Sequence, residues 1–314
     1  MIRRDFLKQT LAAGVAANFL PWSFADMPND QTIPRRRYAA DIDLSIIGFG
    51  AIVLMGMEQQ DANRIVAEVI DRGINYFDVA PSYGEGEAER KLGPALEPHR
   101  TRVFLACKTM RRDAQGAREE LERSLARLRT DHFDLYQFHA VTTMEDVEQI
   151  FGPAGALETL VMARKEGKVR HIGFSAHSEV AALSLLDRFH FDSILFPTNF
   201  VCFTSGHFGP RVIAHAKEKG TARLALKAMA YTPWPKGEEH TYPKCWYKPI
   251  SDPDLAAMAL RFTLSEDITA AVPPGDERLF RVALQTAARF TPLTDAERGE
   301  LVERAGKLEP LFKA

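Results

Sequence analysis

Cysteine and tryptophan are both scarce in this chain, with three of each among 314 residues. Cys107, Cys202 and Cys245 stand far apart and form no CxxC pair. Cysteine spacing therefore encodes neither a metal site nor a dithiol redox motif. Spacing alone does not decide whether Cys202 and Cys245 pair in an oxidising compartment. Net charge is nearly absent too: 40 Lys and Arg face 42 Asp and Glu, for a formal charge of −2. That balance offers no basic surface for nucleic acid or for an anionic membrane. No apolar run reaches the roughly 20 residues that a membrane-spanning helix needs. The glycine-rich dinucleotide fingerprint is incomplete: Gly48-Phe49-Gly50-Ala51 has no third glycine and no helix close behind it. The composition that remains, 46% hydrophobic and 26% charged, is that of an ordinary globular protein long enough to bury a large core.

The first 25 residues, MIRRDFLKQTLAAGVAANFLPWSFA, have a different character. Arg3 and Arg4 precede Phe6-Leu7-Lys8, and an apolar run extends from Leu11 to Leu20. Ser23-Phe24-Ala25 supplies the small-x-small pattern of a cleavage site. The segment resembles a twin-arginine export signal cut after Ala25, with the export machinery as partner and no stable anchor left behind. Removal of Arg3, Arg4, Lys8 and Asp5 with the leader would move the formal charge from −2 to −4. A periplasmic or secreted location is the expectation, and a cytoplasmic one the alternative. Residues 26–35 read as a linker, polar and proline-containing, and 36–314 as one domain.

Within that domain, eight short apolar runs alternate with amphipathic stretches. The runs are 44–51, 75–80, 102–109, 133–140, 169–176, 192–199, 223–229 and 268–273. Between the first two, Ile65, Val69 and Ile70 recur at helical spacing and Gly73 ends the pattern. Leu121, Leu125 and Leu128 make the same kind of stripe. Continuously apolar strands suit a parallel sheet buried on both faces. Eight strand–helix units in a row predict an α/β fold of the (β/α)₈ TIM-barrel type in a single domain, in preference to a doubly wound open sheet.

In such a barrel the chemistry sits at the C-terminal ends of the strands. Asp78 ends the second run with Tyr83 just beyond it, Lys108 ends the third, and His139 ends the fourth. A charge at the end of an apolar strand needs a partner. Neighbouring strands lie about 4.8 Å apart, so Asp78 can hold Lys108. An ammonium beside a phenol lowers the phenol's pKa, so Lys108 is expected to tune Tyr83 for proton transfer with a carbonyl or alcohol oxygen. His139 on the next strand can orient that oxygen.

The motifs NYFDVAPSYG, FLACKT, DLYQFH and EGKVRHIGFSAH, in this order on successive strands, resemble the aldo-keto reductase superfamily over about residues 36–314. That resemblance implies hydride transfer between a nicotinamide cofactor, NADP or NAD, and a carbonyl or alcohol. It casts Asp78, Tyr83, Lys108 and His139 as the catalytic set. It also points to Gly50, Ser175, Asn199, Lys227, Gly275, Asp276 and Arg281 as cofactor-binding candidates. The chain departs from the family pattern in several places. Ser175-Ala176-His177 stands where Ser-Asn is common, Leu226-Lys227 replaces a stacking aromatic, and acidic Asp276 and Glu277 follow the last strand. Acidic groups there disfavour a 2′-phosphate, which keeps NAD in play.

The loop 231–254 is long and rich in proline, and it carries Trp234, Tyr242, Trp246 and Tyr247. It reads as a substrate lid, with Trp234, Trp246 and Tyr247 suited to a sugar-like ring. A different class of function is an exported module that binds a cofactor or partner without turnover; the intact set of four polar residues counts against it.

Overall fold

The structure is a computed structural model, and it describes residues 32–314. The leader predicted over residues 1–25 and the linker residues 26–31 lie outside them.

Two short strands, β1 (Arg35–Ala39) and β2 (Ile42–Ser45), come first and pair antiparallel. The barrel strands follow as β3 (Phe49–Gly50), β4 (Tyr76–Asp78), β5 (Phe104–Thr109), β6 (Phe133–Val141), β7 (Val169–Ala176), β8 (Ser193–Pro197), β9 (Ala222–Leu226) and β12 (Ala270–Val272). Each pairs parallel with its neighbour, and a bridge from Ile47 to Ala271 joins the first to the last. A small antiparallel pair, β10 (Ala230–Thr232) and β11 (Lys248–Pro249), sits in the long loop after β9. The predicted (β/α)₈ barrel in a single domain is the observed fold.

Helices cover the outside. They are α1 (Gln59–Asp71), α2 (Glu87–Leu96), α3 (Ala114–Leu128), α4 (Met144–Phe151), α5 (Ala156–Lys165), α6 (Glu179–Arg188), α7 (Phe200–Thr204), α8 (Pro210–Glu218), α9 (Pro253–Ser265), α10 (Glu277–Ala288) and α11 (Asp295–Ala305). The apolar stripes read from sequence face inward: α1 buries Ile65, Val69 and Ile70, and α3 buries Leu121, Leu125 and Leu128. These pack against the outward side chains of the strands in the main core. No helix among the described residues is long and apolar enough to cross a membrane.

One run was not a single strand. Residues 44–51 divide, with Leu44 and Ser45 ending β2 and Phe49–Gly50 forming β3. The reason lies in the hairpin. Tyr38 and Leu44 join Tyr76, Phe104, Leu135, Leu224 and Ala270 in a second apolar cluster. Most of those residues sit early in their strands, so the hairpin stops the barrel at its N-terminal end. Gly48 is the hinge: a Cβ there would meet the Tyr76 ring at 2.4 Å. With that end stopped, the opposite end is free for chemistry.

Candidate active site

Four polar side chains reach the C-terminal mouth from β4, the turn after it, β5 and β6. Asp78 is 2% exposed and Lys108 1%, so their ion pair is fully buried. A buried pair stands only when its remaining hydrogen-bonding groups are also satisfied. Lys108 Nζ donates further to the Val79 carbonyl at 3.2 Å and to the Tyr83 hydroxyl at 3.2 Å. The second Asp78 oxygen accepts from Tyr76 at 3.3 Å and from Gln137 at 3.4 Å. Sequence reasoning missed these two supports, although a signal was present. Tyr76 precedes Asp78 by two residues and Gln137 precedes His139 by two, so each shares the inward face of its strand.

Tyr83 sits in a turn whose backbone amide donates to the Ala80 carbonyl at 3.1 Å, with Gly84 and Glu85 in left-handed conformations behind it. Its pKa does not fall. Burial raises it, the Lys108 charge opposes, and the outcome lies above the ordinary value of 10. The sequence predicted the lysine's pull correctly but not the larger desolvation. Tyr83 is therefore a protonated phenol at neutral pH. Burial likewise pushes Lys108 towards neutrality, but Asp78 and then Tyr83 outweigh it and keep the ammonium charged.

His139 meets Tyr83 edge to face, with ring centroids 5.9 Å apart, and its Nδ1 lies 3.5 Å from Ser82 Oγ. Burial, then the positive charge of Lys108, holds its pKa well below 6.5, so the ring is neutral. The strand end that presents it is pinned. Ala140 adopts a left-handed φ of 51°, and its amide donates to Ser175 Oγ at 2.8 Å. Arg112, held by Asp146, donates to the His139 carbonyl at 2.8 Å.

These four side chains line a cavity of about 180 Å³. Gly50, Ser175, Lys227 and Gly275 line it too, as do Trp246 and Tyr247 from the long loop. Other candidates lie outside that lining. Asn199 caps α7 through the Cys202 amide at 2.9 Å. Asp276 caps α10 and is paired with Arg278 at 2.9 Å, so much of its charge is neutralised where the sequence had it repelling a phosphate. Arg281 lies along α10. Trp234 stacks on His240 at 4.5 Å and donates to the Cys245 carbonyl, bracing the loop instead of facing a ligand. His177 and Lys244 join the lining, and Lys244 also reaches the Val53 carbonyl at 2.7 Å, tying the loop to the segment after β3. Cys107, Cys202 and Cys245 are free and buried. A wider groove of about 740 Å³ opens beside His177 but contains none of the four tetrad residues.

Residues 46–246 match the Aldo/keto reductase family. The chain belongs to that family. It is 32% identical over 154 residues to an uncharacterised oxidoreductase of Bacillus subtilis, covering 45% of this chain and 48% of that one. Identity to the methylglyoxal reductase of Escherichia coli is 32% over 205 residues, 63% of this chain and 66% of that one. The chain thus spans about half to two thirds of these curated relatives. The holo structure of an aldo-keto reductase from Bacillus halodurans superposes with a TM-score of 0.68 at 26% identity, over 87% of this chain and 96% of that one. In aldo/keto reductase terms, this chain has the barrel and a mouth in which Asp78, Tyr83, Lys108 and His139 converge.

Proposed function

We propose that this aldo/keto reductase is an oxidoreductase that moves a hydride between NADP or NAD and the carbonyl or alcohol of a small, sugar-like substrate, with Tyr83 as general acid and base. The observation that carries the reading is the placement of the Tyr83 hydroxyl 3.2 Å from the ammonium of Lys108, which is itself locked to Asp78 inside the cavity.

The lining suits a nicotinamide dinucleotide. Lys108, Lys227 and Lys244 face Asp78 as the one lining carboxylate, so a polyanion enters a positive cavity. Gly50 and Gly275 present bare backbone there, and Gly275 is so close to Ile52 that a Cβ would lie 1.9 Å from it. Ser175 adds a polar group from β7, and Lys227 adds one from just past β9, the strand beside β12. When bound, the cofactor supplies or accepts the hydride.

The chain's own residues handle the proton. In reduction, Tyr83 gives its phenolic proton to the carbonyl oxygen as that oxygen gains charge. Lys108 then stabilises the phenolate left on Tyr83, at a distance where charge attraction in a buried site is strong. Asp78 keeps Lys108 charged and in place. Neutral His139, across from Tyr83, orients the oxygen by a hydrogen bond. In oxidation, the same phenolate takes the alcohol proton. The aromatic faces of Trp246 and Tyr247 favour a flat or ring-shaped substrate.

Replacement Tyr83→Phe keeps the ring and removes the proton. It should lower kcat by about 10²-fold or more while leaving cofactor affinity unchanged. Absorbance of the reduced cofactor reads the rate, and fluorescence titration reads the affinity. A Tyr83→Phe enzyme at full speed would remove Tyr83 from the mechanism.

A further inference from the structure

Of the three lysines that line the cavity, Lys108 and Lys227 are the two most deeply buried, and they differ in one respect. Lys108 is buried against Asp78. Lys227, 8% exposed, has no carboxylate in any ion pair among the described residues. Its Nζ lies 3.2 Å from His177 Nε2, 5.3 Å from the Trp246 ring centroid and 5.8 Å from that of Phe312. An ammonium sheltered from water with no counterion is costly, and an apolar side chain there would be more stable. The backbone adds to the cost, because Lys227 holds a left-handed φ of 65°. That conformation is unfavourable for a residue that carries a side chain. Strain of this kind persists where the surroundings enforce it, and it gathers at ligand sites. The enforcing contact is visible: the Ala230 amide donates to the Lys227 carbonyl at 2.9 Å.

We propose that Lys227, with His177 beside it, is an oxyanion-binding site in the wall of the catalytic cavity, recognising a phosphate or carboxylate that arrives on the cofactor or the substrate. This rests on reading the cavity as a carbonyl reductase site. Lys108 and Lys244 add positive potential from the other walls, and the single lining carboxylate is already paired.

A testable property follows from the chemistry. The groups facing Lys227 are His177 after β7, His139 at the end of β6, Cys202 on α7 and Lys108 on β5. None carries a negative charge at neutral pH. Burial therefore pushes the lysine down to about 7, with Lys108 adding to the effect and Cys202 opposing it. His177 is pushed down to about 3, first by burial and then by Lys227, so it stays neutral and leaves the proton to the lysine. An oxyanion restores the ammonium. At pH 8 the site then fills with uptake of close to one proton. Affinity is flat below pH 7 and weakens up to about tenfold per pH unit above it.

Isothermal titration calorimetry in buffers of different ionisation enthalpy measures that proton directly. NADH and NADPH are titrated in turn at pH 8, and then oxamate, a non-reacting 2-oxo-acid mimic, into the cofactor-loaded protein. Uptake with the nucleotide assigns the oxyanion to the cofactor's phosphates. Uptake only with oxamate assigns it to a substrate carboxylate. Either outcome supports the site. Lys227→Met should lose the uptake and bind that ligand at least tenfold more weakly, whereas Lys227→Arg, charged at every pH used, should bind it without uptake. Absence of proton uptake in every wild-type titration, or equal uptake by Lys227→Met, would overturn the proposal. Tyr83→Phe should take up the same proton, so the oxyanion site and the proton donor stand or fall separately.

Discussion

At the scale of single residues, the cavity depends on balances that oppose one another. Tyr83 stays protonated because burial outweighs Lys108, and Lys108 stays charged because Asp78 and Tyr83 outweigh burial. Lys227 has no such compensation, and this has a consequence for stability. Its folded pKa, about 7, lies below the ordinary lysine value of 10.5. Below pH 7 the folded lysine is charged against its surroundings and the penalty is full; between 7 and 10.5 the penalty is relieved. Lys227→Met should therefore stabilise the empty protein at pH 6 by at least about 1 kcal/mol, a melting shift of roughly 2 °C or more, and the gain should fade by pH 10. Thermal melts across pH check this, and a gain that grows with pH would contradict the assigned sign. The meeting of Asp78, Tyr83, Lys108 and His139 in one cavity was legible in sequence because a carboxylate, a lysine and a histidine at the ends of apolar strands each need a partner. The direction of the Tyr83 shift was not legible, because desolvation depends on neighbours that only the folded chain brings together. Nor was the isolation of Lys227, since the closeness of His177, Trp246 and Phe312 is invisible along the chain.

Among the elements, strands and helices were read far better than loops. Parallel strands buried on both faces must be apolar throughout, so their runs stand out; helices must repeat an apolar stripe, as α1 and α3 do. The hairpin of β1 and β2 escaped because Leu44 to Ala51 is as apolar as one strand, and nothing local announces that it serves two sheets. Within the long loop, the sequence correctly marked aromatic richness but not which ring does what. Trp234 braces the loop, while Trp246, 58% exposed, stands at the cavity above Lys227. Trp246→Ala should raise KM for a ring-shaped substrate about tenfold, with the circular dichroism spectrum unchanged. Unaltered KM and kcat would leave this loop no role in substrate binding.

At the scale of the whole molecule, the question is where it works. Export in the folded state, as the leader suggests, would separate the protein from the cytoplasmic cofactor pool. Under the proposal of export, the loop that Lys244 ties to the Val53 carbonyl beside the cavity is the element that would keep a bound cofactor with the protein. Protein recovered from outside the cytoplasm and then denatured should release nicotinamide nucleotide in near one-to-one amount, read by mass spectrometry. Recovery without nucleotide, or only from the cytoplasm, would count against a self-supplied exported enzyme. The closing bridge of the barrel bears on the same journey. Ile47 meets Ala271, so the first strand cannot complete its pairing until the last has been synthesised. Loop closure over so much chain makes folding slow. Were residues 1–25 to act as the proposed leader, they would emerge long before there is a finished barrel to carry, and a route that accepts only finished barrels would have to wait for the ribosome to release the far end.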